Sequence, residues 1–393
     1  MEGVLRSQDL AAPMAAAAAG AAEVARAHAA AVDRDAVFPA AALAALREAR
    51  LLAALVPVPL GGLGLPLGRV GAICSALAEA CSSTAMIFAM HQVQVACLAR
   101  HALDQEWHRH FLRRVAADGL LLASANSEAG IGGDLRTSRC AVLRDGGRFT
   151  VRKQTTALSY GAHADALLLT ARRGEDAAPT DQVLLVALRE DCTLERTAGW
   201  DALGMRGTCT EGFLVDAAGS EAQILATPFG TIAGETMVPA SHLLWCSLWV
   251  GIAADAVGRA RSFVRAAVRG DRSGAAPPGG PRLALAVEQL QMLQAQVTAS
   301  LQRFEAQADA EPASLAAAIE SNALKTGVSE ACLAVVQNAL RVCGFAGYSN
   351  AGRYSLSRHL RDLQSAPLMI NNDRMRDTTA RLLLAAAPVL GIV

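Results

Sequence analysis

Hydrophobic periodicity switches twice along this chain, and the two switches leave few folds open. From Ala11 to about Gly119 apolar residues recur at helical spacing, as in "AALAALREARLLAALVP", which ends at Pro57. "GRVGAICSALAEACSSTAMIFAMHQVQVACLARHAL" is apolar nearly all round, so it reads as buried helix with a break near Cys81-Ser82-Ser83. From about Leu120 to Leu225 short runs bounded by Gly, Asp and Pro replace that pattern: "RFTVRKQTTALSY", "ADALLLTARR", "DQVLLVALRE" and "EGFLVDA". These are strand signals at the spacing of a sandwich or barrel. From Ala233 onward helical periodicity returns in three long segments.

Segregated blocks predict an α+β protein rather than alternating α/β. The expected division is a helical domain over 1–119, an antiparallel β-barrel or sandwich domain over 120–228, and a four-helix-bundle domain over 229–393. A dinucleotide-binding reading of Gly130, Gly132 and Gly133 loses its footing, because no βαβ unit surrounds them.

Composition excludes several function classes. Lys plus Arg and Asp plus Glu both number 36, so nucleic acid, which demands a basic surplus, is not an expected partner. Much of the 52% apolar content is alanine, and no window carries about 18 uninterrupted strongly apolar residues, so no membrane span is expected. "AAPMAAAAAGAAEVARAHAAA" reads as a helix rather than a secretory signal. Nine scattered cysteines without a CxxC pair point to reduced thiols in the cytoplasm, and eight histidines show no metal-binding spacing.

Five short motifs, in order, carry a family likeness. "LVPVPLGGLGLP", "SEAGIGGDL", "KQTTALSYGAHADALLLTAR", "GWDALGMRGTCTEGFLV" and "CGFAGY" followed by "SRHLRD" resemble successive signatures of the acyl-CoA dehydrogenase family, over about Leu51 to Leu384. The resemblance implies FAD as cofactor and an acyl-CoA or acyl-carrier thioester as substrate. It also implies a homo-oligomer, dimer or tetramer, with the last helical block at the interface. Glycines in "SEAGIGGDL" would let the flavin approach backbone closely, since they admit positive φ and carry no Cβ.

Site residues follow from the resemblance position by position. Ser127 matches the hydroxyl residue that contacts the flavin ring, and Gly132 a glycine beside it. Gly133 stands where the family usually has Ser, which removes one hydroxyl contact. Ser159 matches the Ser/Thr that bonds near flavin N5, given a two-residue insertion after Lys153; the family's shielding Trp then falls on Ala157. Arg341 occupies the Gln of a "Q..GG" turn that grips the adenine-diphosphate end from a neighbouring subunit, and Gly344 its first glycine. A guanidinium fork at Arg341 suits pyrophosphate.

The family's catalytic Glu is missing. Met369, Ile370 and Asn371 hold one of its usual places, and Ser241 or His242 the other. Asp373 is the nearest carboxylate and one candidate base, with N-cap of the last helix or partner of Arg374 as its structural alternatives. His242 is a second candidate base, and a core histidine is its alternative. Three functions stay open. The first is an FAD-dependent acyl-CoA dehydrogenase-like oxidoreductase. The second is a flavin-dependent monooxygenase on the same scaffold, for which the missing Glu and Trp are no handicap. The third is a non-catalytic family member.

Overall fold

The computed structural model describes residues 12–132, 134–270, 279–307 and 314–386. It opens with helices α1 (Ala12–Asp35), α2 (Ala40–Glu48), α3 (Leu67–Ala80), α4 (Ser82–His101) and α5 (Glu106–Asp118). In α1 the buried residues Ala18, Ala21, Ala22, Ala25, Ala29 and Val32 keep three- and four-residue spacing, so one alanine stripe faces inward and lies against α3. Cys81 alone separates α3 from α4: it is extended, at φ −150 and ψ 108. The break expected from the sequence therefore falls on that residue.

The run through Pro57 is not one helix. Arg50 turns left-handed at φ 57, and Leu51–Ala53 form a buried 3-10 turn. Two side chains of α4 explain the change. Gln92 donates to the Leu51 and Leu52 carbonyls at 3.0 and 3.1 Å. His91 accepts from the Leu122 N–H at its Nδ1, 3.0 Å away, so its Nε2 carries the hydrogen that it gives to the Leu52 carbonyl at 2.7 Å. Burial pushes the His91 pKa down to about 4, and this neutral imidazole is a structural pin rather than a cavity wall.

Seven strands follow: β1 (Leu122–Ala125), β2 (Leu143–Asp145), β3 (Arg148–Leu158), β4 (Ala166–Arg172), β5 (Gln182–Leu188), β6 (Cys192–Ala198) and β7 (Glu211–Ser220). They make two sheets, in the orders β1-β4-β5 and β2-β3-β7-β6. One pairing departs from the expected antiparallel arrangement: β1 runs parallel to β4, with Leu122 opposite Ala166. Strands β4 and β5 are buried on both faces, which explains their unbroken apolar runs, whereas β3 alternates exposed and buried. The register of β3 against β7 slips between Thr155 and Leu158. That bulge re-aims the end of β3, as bulges beside binding sites commonly do.

The chain then returns to helix: α6 (Phe229–Ile232), a π-turn over Ala233–Met237, α7 (Val238–Gly270), α8 (Gly280–Gln307), α9 (Leu315–Cys343), α10 (Phe345–Tyr348), α11 (Ser357–Leu363) and α12 (Asn372–Leu382). Helix α7 is the spine, packed on α9, α8, α3 and α4. Gly251 lets α7 and α3 approach this closely, since a Cβ there would sit 2.3 Å from the Ser75 carbonyl oxygen. The stretch Phe229–Arg269 is apolar and long enough to cross a membrane, yet 83% of its most apolar window is buried inside the fold.

Candidate functional site

A cavity of about 1830 Å³ opens where the two sheets, α4, α7, α9 and α12 meet. Single ligands usually occupy roughly 300–1,000 Å³, so this space admits two molecules side by side. Ser127, Gly132, Ser159 and His242 all line it. Gly133 lies outside the described residues. Arg341 and Gly344 do not line the cavity: Arg341 is in the last turn of α9 and Gly344, at φ 56, caps that helix.

The glycine turn is built on an ion pair that sequence reasoning missed. Glu128, 7% exposed, accepts from the Ser138 hydroxyl at 2.7 Å and from the Cys140 N–H at 2.8 Å, with Lys153 Nζ 3.6 Å away. Burial alone would raise its pKa, but the Ser138 hydroxyl, the Lys153 ammonium and the N–H groups of Arg139 and Cys140 outweigh it and hold the carboxyl below its ordinary value. Lys153 also donates across the sheets to the Thr170 carbonyl at 2.7 Å. Ser127 is fastened too: its hydroxyl donates to the Ala157 carbonyl at 2.8 Å and accepts the Ala157 N–H at 3.1 Å. The Ser127 side chain thus joins the glycine turn to the β3 bulge, and its proton is not free for a ligand.

Beside it, Ser159, Thr210 and Thr208 link by two oxygen–oxygen contacts of 2.8 Å, and Thr208 donates onward to the Met205 carbonyl at 2.8 Å. Three non-glycine residues with positive φ, Tyr160, Met205 and Cys209, surround this chain of hydroxyls. Each such residue costs about 1–3 kcal/mol, and such residues cluster at binding sites. Met205 is held in place by Asp362, which accepts its N–H at 2.7 Å. The two motifs "GWDALGMRGTCTEGFLV" and "SRHLRD" therefore meet in space.

On the opposite wall His242 is 1% exposed, with Nδ1 2.8 Å from the Ser321 hydroxyl. Burial first, then the nearby Lys325 ammonium, push its pKa down to about 3. A neutral imidazole with so low a pKa is a hydrogen-bonding group and a weak proton acceptor. Its Nε2 has no hydrogen-bond partner, and neither do Trp245 Nε1 and Asn126 Oδ1, although all three residues line the cavity. The three atoms are themselves buried, so they lie inside the wall rather than on the cavity surface.

Asp373 does not reach the cavity. Its side chain is 89% exposed and pairs with Arg376 at 3.6 Å, not with Arg374. Nor is it the N-cap: Asn371 caps α12, accepting from the Asp373 and Arg374 N–H groups at 2.9 and 3.1 Å. Carboxylates that do line the cavity are Asp134, paired with Arg136 at 3.0 Å, together with Glu235 and Asp377. Glu235 sits on the π-turn, a feature that no sequence period betrays. Among the described residues no group of three His, Cys, Asp or Glu could hold a metal ion.

A flavin suits this lining: hydroxyls and an amide line one wall, and glycine backbone at φ 59 at Gly132 admits close approach. Comparison with known proteins points the same way. Residues 7–119 match the acyl-CoA dehydrogenase N-terminal domain. The chain is 24% identical to cyclohex-1-ene-1-carbonyl-CoA dehydrogenase of Geobacter metallireducens, over 90% of this chain and 92% of that one. It is 29% identical to L-evernosamine nitrososynthase of a Micromonospora species, over 86% of this chain and 81% of the other. Among solved structures, TdsC of Paenibacillus sp. A11-2, in complex with FMN and indole, superposes with a TM-score of 0.84 at 19% identity, over 95% of this chain and 97% of that one.

Proposed function

Since this chain is an acyl-CoA dehydrogenase-like protein, we propose that it works as a flavin-dependent monooxygenase on a small polar or heteroatom-bearing substrate. One observation carries this reading. Met369, Ile370, Asn371, Ser241 and His242 line the cavity at both places where a thioester α-proton would need a carboxylate, and burial with the nearby Lys325 ammonium lowers the His242 pKa to about 3. A reduced flavin supplies two electrons to molecular oxygen, so that one oxygen atom enters the substrate and the other leaves as water. The chain's own part is to bind and exclude water. Ser159 and Asn126 would border a bound ring, and Met86, Met90 and Trp245 keep the space apolar. The likeness to a nitrososynthase over most of the chain supports an amine nitrogen as the atom that receives oxygen.

FAD and FMN both match the ring site. Arg341 and Gly344, remote from this cavity, suit the adenine-diphosphate end of an FAD held by a neighbouring copy in a homo-oligomer. Nine unpaired thiols suit a cytoplasmic setting. A second reading, α,β-dehydrogenation of an acyl-CoA or acyl-carrier thioester with hydride passing to flavin N5, draws on the cyclohexenecarbonyl-CoA dehydrogenase likeness and on Glu235 as a cavity carboxylate. The experiment is to load the protein with FMN or FAD and titrate it without oxygen. Bleaching by acyl-CoAs overturns the oxygenase reading. Oxygen uptake that depends on an NADH-driven flavin reductase, with no bleaching by acyl-CoAs, is the expected result.

A further inference from the structure

The direction of the hydroxyl chain follows from counting protons. Each hydroxyl has one hydrogen to give. Thr208 lies 2.8 Å from the Met205 carbonyl, which can only accept, so the Thr208 proton is spent there. Thr210, 2.8 Å from Thr208, must then give its proton to Thr208. Ser159, 2.8 Å from Thr210, must in turn give its own to Thr210. Ser159, which lines the cavity, is therefore left with lone pairs only at its Oγ. The carbonyl that anchors this order is itself fixed: Met205 is left-handed at φ 52, its N–H donates to buried Asp362, and its oxygen also receives the Trp200 indole N–H at 3.2 Å.

We propose that Thr208 and Thr210 are positioning residues that make Ser159 an obligatory acceptor, so that this wall selects a ligand edge carrying a hydrogen. On the flavin reading above, on which this inference rests, and with Ser159 at the position that the motif resemblance sets near N5, that edge would be N5. The two-electron-reduced ring carries a hydrogen there and meets an acceptor; the oxidised ring presents a lone pair and meets another lone pair. The relay thus tunes the cavity to hold reduced flavin more tightly than oxidised flavin.

The test is the affinity of the full chain for oxidised and for dithionite-reduced FMN, with the potential of the bound FMN as a second readout. Wild-type protein is expected to prefer reduced FMN at least tenfold, which raises the bound potential by about 30 mV for a two-electron couple. Thr210→Val keeps the shape of Thr210 but frees the Ser159 proton; the preference should fall toward one and the potential should drop. Thr210→Ser should restore both. Equal affinity for the two redox forms in wild type, or an unchanged ratio in Thr210→Val, overturns the relay while leaving flavin binding intact. Failure to bind FMN or FAD in either redox state overturns the flavin reading and the relay with it.

Discussion

Lys325, on α9, donates from its buried ammonium to the carbonyl of Ile370 at 2.9 Å, and Ile370 stands left-handed at φ 48 in the turn that floors the cavity. The same ammonium bonds Asn372 Oδ1 at 2.7 Å and sits 5.9 Å above the Trp249 ring. Lys325→Met should leave two buried acceptors unpaired and destabilise the fold by about 2 kcal/mol. Burial lowers the Lys325 pKa from 10.5 to about 8, so between those values the unfolded chain binds a proton that the native one has shed. Stability from this group therefore rises as pH climbs from 8 to 10.5, and the gap between wild type and variant should widen over that window in urea titrations.

Acid should begin to destabilise the protein above the pH at which most carboxylates titrate. Burial lowers His91 and His108 to about 4, and burial with the Lys325 charge lowers His242 to about 3. Their contribution is complete above pH 6.5 and is lost as pH falls toward those values, since only the unfolded chain takes the protons. A shift of that size is worth about 3 kcal/mol per group. Thermal unfolding midpoints should drop steeply between pH 6.5 and 4, and His108→Gln should flatten that drop.

Glu128→Gln should strand the Lys153 ammonium, whose side chain is 0% exposed, without its counter-charge. The expected loss is about 3 kcal/mol. Because Glu128 also ties down the N–H groups of Arg139 and Cys140, flavin affinity should fall at least tenfold under conditions where the variant is still folded. Denaturation and flavin titration on the same sample separate the two effects.

Gly132→Ala should act on binding more than on folding. A Cβ at φ 59 adds roughly 1–2 kcal/mol of left-handed strain. It would meet Arg374 Nη2 at an ordinary 3.5 Å, so nothing among the described residues obstructs it. Stability should change by that strain alone, while flavin affinity drops further; equal losses in both would mean the position is purely structural.

Local patterns were legible where local physics decides. The helix break shows in the small polar Ser82-Ser83 pair after Cys81, and β4 and β5 in their unbroken apolar runs. Ser127, Gly132, Ser159 and His242 were found through motif likeness, and they share one cavity. What stayed hidden depends on partners far along the chain. The 3-10 turn at Leu51 needs Gln92 and His91 from α4, and the parallel β1–β4 pair spans more than forty residues. Glu128 read as a motif letter, yet its task is set by Lys153 on another strand. Asp373 looked suited to be a base by spacing alone, until Asn371 took the cap and turned it to the surface.

Ser127 and Ala157 grip each other through a reciprocal pair of hydrogen bonds, so the glycine loop and the β3 bulge form one jaw with no play between its parts. A bulkier guest cannot be accommodated by spreading that jaw without breaking both bonds. Tolerance for new substrates must come from the other side, where Leu368 is 69% exposed and Met369 lines the cavity on the turn whose Ile370 carbonyl Lys325 holds. Efforts to broaden or redirect what this protein accepts should begin there.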